Sequence, residues 1–398
     1  YSNSATGGDT LPRNDSEYYT ISRAEAALAE AFQGLPVSSI GMQGTTSGHH
    51  AIMGGRINRT YGAPDCHQLS IGADIRYNHR RLHEDFTFEE QDIRDFYTNM
   101  PLSDMVDVGV YNELTFRWLP YVSTTVGGRI DMVNTNTRDR EFKGRTDPND
   151  GRSNLEPFAG GLRQNDLLLA FYLANDVEIS EEWNVRLACG FAQRAPTLLE
   201  RYADGVFVGT VQSGLTRVIG TPVLNPEETW QIDLALNHES EFWRGRAAAF
   251  YSWTDDPITF IGFPATDPTG ARLLRYMNGN LFTRTGFELM GEWDLLPRVS
   301  AFGTLRYLSG RDRNIQVNGV ANPVDRPLTS INPLESRVGI RLHDDQGGRR
   351  WGYEVSMRMA RSQDSVGSLR LGSTDVVGLL DDVAKGTGGF TPDDLRGY

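Results

Sequence analysis

The residues of this sequence best suited to chemistry sit in one run, GMQGTTSGHHAIMGG, which gathers Met42, His49, His50 and Met53. Thioether and imidazole are soft or borderline donors, and such a set suits copper. In extended backbone successive side chains alternate sides, so His49 and Met53 would share a face while His50 would not. The plainer reading is a loop leading into a strand, its His and Met incidental. Spacing alone does not decide between the two. Elsewhere there is no G-x-S-x-G, no H-E-x-x-H and no phosphate loop. The carboxylate pairs Asp255-Asp256, Asp344-Asp345 and Asp381-Asp382 fall in polar turns and read as solvated. Cys66 and Cys189 make neither a disulfide framework nor a metal spacing. Cys189 stands on the apolar side of its run as a small hydrophobe, whereas Cys66 sits in a turn. The expectation is a protein that is not an enzyme and carries no cofactor.

The elements that would position these residues are strands. Period-two alternation dominates the chain, as in VDVGVYNELTFRW (106–118). One face there carries Val106, Val108, Val110, Leu114, Phe116 and Trp118, and the other Asp107, Tyr111, Glu113, Thr115 and Arg117. This pattern means a strand with one apolar and one polar face. It predicts strands near 47–60, 67–79, 106–118, 121–134, 166–177, 183–194, 228–238, 245–256, 280–293, 298–309, 334–343 and 350–361. One helix is expected in SRAEAALAEAFQGLP, from its Ser-x-x-Glu capping box and the stop at Gly34. Residues 1–46 then form a loop region with that helix, and 47–398 a barrel portion.

Connections alternate in length. Tight links such as Leu119-Pro120 and Leu295–Pro297 alternate with long polar ones at 80–105, 138–165, 195–227, 257–279 and 310–333. Short turns at one rim and long loops at the other are the signature of an outer-membrane barrel. The seven tryptophans lie at strand ends, where a girdle at the membrane boundary would place them. The predicted strands exceed the ~5–6 residues of a typical globular strand and match the ~9–11 of a tilted crossing. No apolar run approaches the ~18–20 residues of a spanning helix. With a net charge of −13 the chain is a poor partner for nucleic acid. Val108, Val110, Leu234, Val355 and Met357 are expected to face lipid, and Asp107, Glu113, Asp233, Glu354 and Arg358 the lumen.

GFAQRAPTLLERY, a polar loop and LNPEETWQIDLAL together resemble the TonB-dependent receptors of bacterial outer membranes. The matching positions are Phe191, Arg194, Pro196, Thr197, Glu200 and Tyr202, then Leu224, Asn225, Pro226 and Glu227. NGNLFTRTGFELMGEWDLLP (278–297), PLTSINPLESRVGIRL (327–342) and GGFTPDDLRGY (388–398) resemble further strands of that family. Physically, Pro196 ends the outward strand and restricts Ala195, and Pro226 fixes the return with Glu227 turned to water or lumen. The resemblance implies an all-β, antiparallel up-and-down barrel segment of about twelve or thirteen strands, from a family whose barrels have about 22. No run resembling the family's plug or TonB-contact segment is found, so the sheet is expected to stay open as an incomplete barrel. The implied function is import of a ferric siderophore, vitamin or metal across the bacterial outer membrane. The implied partners are TonB, acting through a plug, a small-molecule or metal-chelate ligand, and outer-membrane lipid. A passive or structural barrel without TonB coupling is the alternative, followed by a soluble all-β enzyme or binding module.

Overall fold

The computed structural model describes residues 2–5, 42–63, 66–88, 93–137, 162–207, 216–266, 272–315, 324–328, 331–344, 350–361 and 370–371. The first strands are β1 (Ser2–Ala5), β2 (Met42–Gly62), β3 (His67–Phe88), β4 (Ile93–Leu119), β5 (Val122–Thr137), β6 (Gln164–Glu178) and β7 (Trp183–Arg194). A short helix, α1 (Leu198–Tyr202), precedes β8 (Asp204–Phe207) and β9 (Thr216–Ile219). Then come β10 (Glu227–Glu239), β11 (Trp243–Asp255), β12 (Ile258–Thr266), β13 (Arg272–Asn278), β14 (Leu281–Leu296) and β15 (Val299–Ile315). The last are β16 (Val324–Pro327), β17 (Glu335–His343), β18 (Gly352–Ala360) and β19 (Arg370–Leu371).

One antiparallel sheet runs in the order β1-β2-β3-β4-β5-β6-β7-β10-β11-β14-β15-β17-β18, with β16 paired to β15. Its twelve long strands are the twelve the alternation predicts. Because each long strand runs opposite to the next, the tight links, including Leu119-Pro120 and Leu295–Pro297, all fall at one rim. Among the described residues the sheet is open, with β1 and β18 at its ends. The expected helix in 22–36 and the strand start in 388–398 lie outside the described residues.

The ladder fixes the faces, since residues paired directly across it point the same way. Leu234 lies opposite Leu187 and Ala249, and Ala249 opposite Phe287. Val108, Val110, Leu234, Val355 and Met357 all stand exposed on this apolar face, Leu234 at 52% and Val355 at 79%. All seven tryptophans share it. At its outer edge Phe191 lies 5.2 Å from Phe171 and 4.9 Å from Trp230, which stacks on Trp253 at 6.2 Å. At the short-turn rim His238 sits between Trp183 and Trp243, at 4.4 and 4.3 Å, and Trp293 lies opposite Trp243. The ten residue steps from Trp243 to Trp253 cover about 33 Å of strand. At a tilt of about 40° that is a height of about 25 Å, the apolar band of a membrane barrel. No helix among the described residues is long and apolar enough to cross a membrane, which says nothing of strands.

The structure departs from expectation at the long connections. Most of 80–105 is ladder, because β3 runs on to Phe88 and β4 starts at Ile93. Backbone pairing continues there past the point where the apolar and polar alternation stops. The segments 195–227 and 257–279 also carry structure. They supply β8, β9, β12 and β13 to a second sheet, ordered β19-β12-β13-β9-β8, at the long-loop end.

Candidate functional site

The polar face is the concave one. Residues from β2 to β10, among them Arg56, Asp74, Tyr111, Arg129, Tyr172 and Gln231, bound a groove of about 720 Å³. Arg129 donates to both oxygens of Asp74 at 2.7 and 2.8 Å, and through Nε to Asp131 at 2.7 Å. Arg76 donates to Asp107 at 2.9 Å. Arg56 donates to the Tyr111 hydroxyl at 2.7 Å, with its guanidinium 4.7 Å from that ring. Other polar positions pair in the same way. Tyr172 donates to Glu113, Gln231 to Asp233, Arg341 to Glu354, and Arg358 to Glu335. The effect of these pairs is orientation: they lay long side chains flat and keep the wall wet and charged.

Two glycines make that layering possible. A Cβ at Gly127 would lie 2.1 Å from the Tyr172 ring, and one at Gly72 would lie 2.3 Å from that of Tyr111. Gly127→Ala is therefore expected to lift Tyr172 off the wall and break its bond to Glu113. The cost should be about 1–3 kcal/mol, as for other overpacked sites. Urea unfolding of the Gly127→Ala and Tyr172→Phe proteins, alone and combined, checks this: the two effects should not add.

At the long-loop end the wall carries an apolar core, and α1 covers it. Leu198 and Tyr202 pack with Met105, Val133 and Leu168, all buried. Thr197 and Glu200 form a reciprocal capping box: the Glu200 amide donates to Thr197 Oγ1 at 3.2 Å, and the Thr197 amide to Glu200 Oε2 at 2.6 Å. Arg201 enters the core with 1% of its side chain exposed and pairs with Asp166 at 2.8 Å. It also donates to Thr135 Oγ1 at 2.7 Å and to the Leu224 carbonyl at 3.3 Å. Tyr202 donates to the Leu162 carbonyl at 2.6 Å, and burial pushes its phenol up to about 12, so it stays protonated.

Glu227 shares the concave face with Gln231 and Asp233, where it is held in pairs. It accepts from Arg194 Nε at 2.7 Å and from the Ile258 amide at 2.6 Å. Arg194 also holds Glu200 through two bonds of 2.9 and 3.1 Å. Asn278 completes the junction, donating to the Asn225 and Asp256 carbonyls at 3.1 and 2.8 Å and accepting from the Asn225 amide at 2.9 Å. Thr221 donates to the Tyr276 carbonyl at 2.6 Å, and β9 pairs in parallel with β13. The described parts of the two outer segments, 195–207 with 216–226 and 256–266 with 272–280, are thus joined to each other. Arg194→Met is expected to raise amide exchange in both segments together, by about tenfold. That corresponds to ~1.4 kcal/mol for a charge-assisted junction open to water on one side. A rise in one segment alone would show that they move separately.

The soft-ligand residues fall elsewhere. His49 and Met53 do share a face, but it is the apolar one, while His50 points to the polar side and bonds Asn78 at 2.9 Å. Met42 begins β2, seven residues from His49, or about 23 Å along an extended strand. His49 and Met53 are themselves about 13 Å apart along the backbone. Met42, His49 and Met53 therefore do not converge on one ion. The residues that sequence reasoning missed are Arg201, Thr135 and Asp166, while Tyr202 was singled out only as part of the strand exit. The legible signal for α1 was the capping box in Thr197-Leu198-Leu199-Glu200.

A strand wall with an apolar face banded by aromatic rows and a charged concave face defines a membrane-spanning β-barrel wall. The model of one such family, described as "TonB dependent receptor-like, beta-barrel", matches residues 2–393, and the chain belongs to that family. No curated protein sequence matches the chain significantly. Among solved structures, the copper transporter OprC superposes with a TM-score of 0.60 at 18% identity, covering 84% of this chain and 45% of that one. The Serratia marcescens hemophore receptor HasR, a double mutant in complex with its hemophore HasA and heme, gives 0.50 at 12% identity, covering 81% and 52%. The ferric citrate transporter FecA, unliganded, gives 0.50 at 12% identity, covering 81% and 43%. At these identities the likeness is one of fold. The chain spans about half the length of these structures.

Proposed function

We propose that this chain forms the wall and outer mouth of a bacterial outer-membrane receptor that imports a scarce ligand such as a ferric siderophore, energised through TonB. The observation that carries the reading is the two-faced wall, apolar over the height of a bilayer outside and charged and wet inside. Family membership supports import, and the solved relatives named for copper, heme and ferric citrate suggest the range of ligands. In this reading the joined outer segments receive the ligand, the charged face lines its route, and the chemistry is binding and passage.

The test is uptake by cells with and without the protein, offered radioiron siderophores, heme, cobalamin and copper in turn. The expected result is that deletion abolishes uptake of one ligand, and that a protonophore or loss of TonB abolishes it equally. Uptake that persists without energy would instead support a passive barrel.

A further inference from the structure

Among the described residues, a polar cluster lies on the apolar face where it meets the long-loop end. The His79 Nδ1 lies 2.6 Å from Asp104 Oδ1, and the Tyr77 hydroxyl donates to the same oxygen. His49 meets His79 edge-on, their ring centroids 5.6 Å apart. The register explains the contact: His79 pairs with Ala51, whose small side chain leaves room, and His49 and Met53 flank Ala51 on the same face. From these residues we propose a binding site for a borderline divalent cation, of the Cu²⁺, Ni²⁺ or Zn²⁺ class, held by the imidazoles of His49 and His79.

Three features carry it. A carboxylate at Nδ1 fixes the His79 ring and leaves Nε2 as the acceptor for a metal, the arrangement by which second-shell carboxylates orient histidine ligands. Two imidazoles bound to one metal at ~2.0–2.1 Å put their ring centres roughly 4.5–6 Å apart, which the His49–His79 spacing already satisfies. His49 is exposed, so turning a nitrogen toward the metal needs only side-chain rotation. Arg81 stands opposite His49, and its charge opposes the cation. The site faces away from the concave wall, so it lies off the proposed import route and is independent of which ligand is carried.

The experiment titrates the full chain, purified in detergent, with Cu²⁺ alone and follows it by electron paramagnetic resonance and calorimetry. One equivalent should show hyperfine coupling to two nitrogens. H49A and H79A should each weaken binding at least about tenfold, D104N about tenfold through ring orientation, and R81Q should tighten it. H50A, on the opposite face, should change nothing. In the unsubstituted protein Zn²⁺ should protect His49 and His79, and not His50, from diethyl pyrocarbonate, a readout that does not depend on how any variant folds. Unchanged affinity in both H49A and H79A, an equal loss in H50A, or equal modification with and without Zn²⁺ would overturn the site.

Discussion

Replacing Arg201 by methionine is expected to release the mouth of the barrel, with a local destabilisation of about 3–5 kcal/mol. The guanidinium and its partner carboxylate are almost wholly removed from water, at 1% and 9% side-chain exposure for Arg201 and Asp166. Methionine fills much of the volume, so lost packing is the smaller effect. The larger one is Asp166, left charged in a core of Met105, Val133 and Leu168 with its main partner gone. Thr135 and the Leu224 carbonyl lose a donor as well. The effect should be local, since α1 and 195–226 can detach while the long ladder persists. Amide exchange over the described part of 195–226 should rise by about two to four orders of magnitude, the factor those energies imply. Arg201→Met combined with Asp166→Leu should cost less than Arg201→Met alone, because no buried charge is then stranded. An equal or larger loss in the double variant would mean that the pair itself, rather than the stranded carboxylate, dominates.

Arginine at Leu234 is expected to cost about 2–4 kcal/mol, the penalty for a cation on the lipid face near the midplane. Leu234 lies halfway between Trp230 of the outer aromatic row and His238 of the inner one. No polar wall is within reach on that side, so the guanidinium must snorkel or draw water inward. Gln231→Arg is the matched control. Gln231 stands on the concave face and already bonds Asp233 at 2.8 Å, so an arginine there gains a carboxylate partner. Its expected effect is under ~1 kcal/mol. Unfolding in lipid vesicles and heat-dependent gel mobility both measure the difference.

How much of this was legible follows from what each element needs. The long strands announce themselves because one face meets lipid and the other water, which writes alternation directly into sequences such as Trp230-Gln231-Ile232-Asp233-Leu234. Where that contrast vanishes, so does the signal: the run Arg80-Arg81-Leu82-His83-Glu84-Asp85, which continues β3, has no regular apolar and polar alternation and reads as loop. The outer sheet was invisible for a related reason. Its strands are short, and β9 pairs in parallel with β13, some fifty residues on, which no local pattern records. In α1 the sequence signal existed, but five residues give too little periodicity to weigh it against Pro196. Arg201 and Glu200 are adjacent charged residues, and nothing local says that one enters the core while the other caps the helix and binds Arg194. The soft-ligand run shows the opposite error. Met42, His49 and Met53 are close in sequence, yet strand rise separates them, and the partner His49 does find is His79, across the ladder.

The most direct test of the account is a nitroxide scan along β10 in lipid bilayers, with Cys66 and Cys189 replaced by serine. Single cysteines from Gln231 to Leu236 are labelled in turn, and collision with oxygen, which concentrates in lipid, is compared with collision with a water-soluble nickel chelate. The account predicts strict alternation: labels at Ile232, Leu234 and Leu236 relax chiefly with oxygen, and those at Gln231 and Asp233 chiefly with the chelate. Uniform access to the chelate at all six positions, or alternation of the opposite sense, would contradict a wall whose apolar face lies in the membrane.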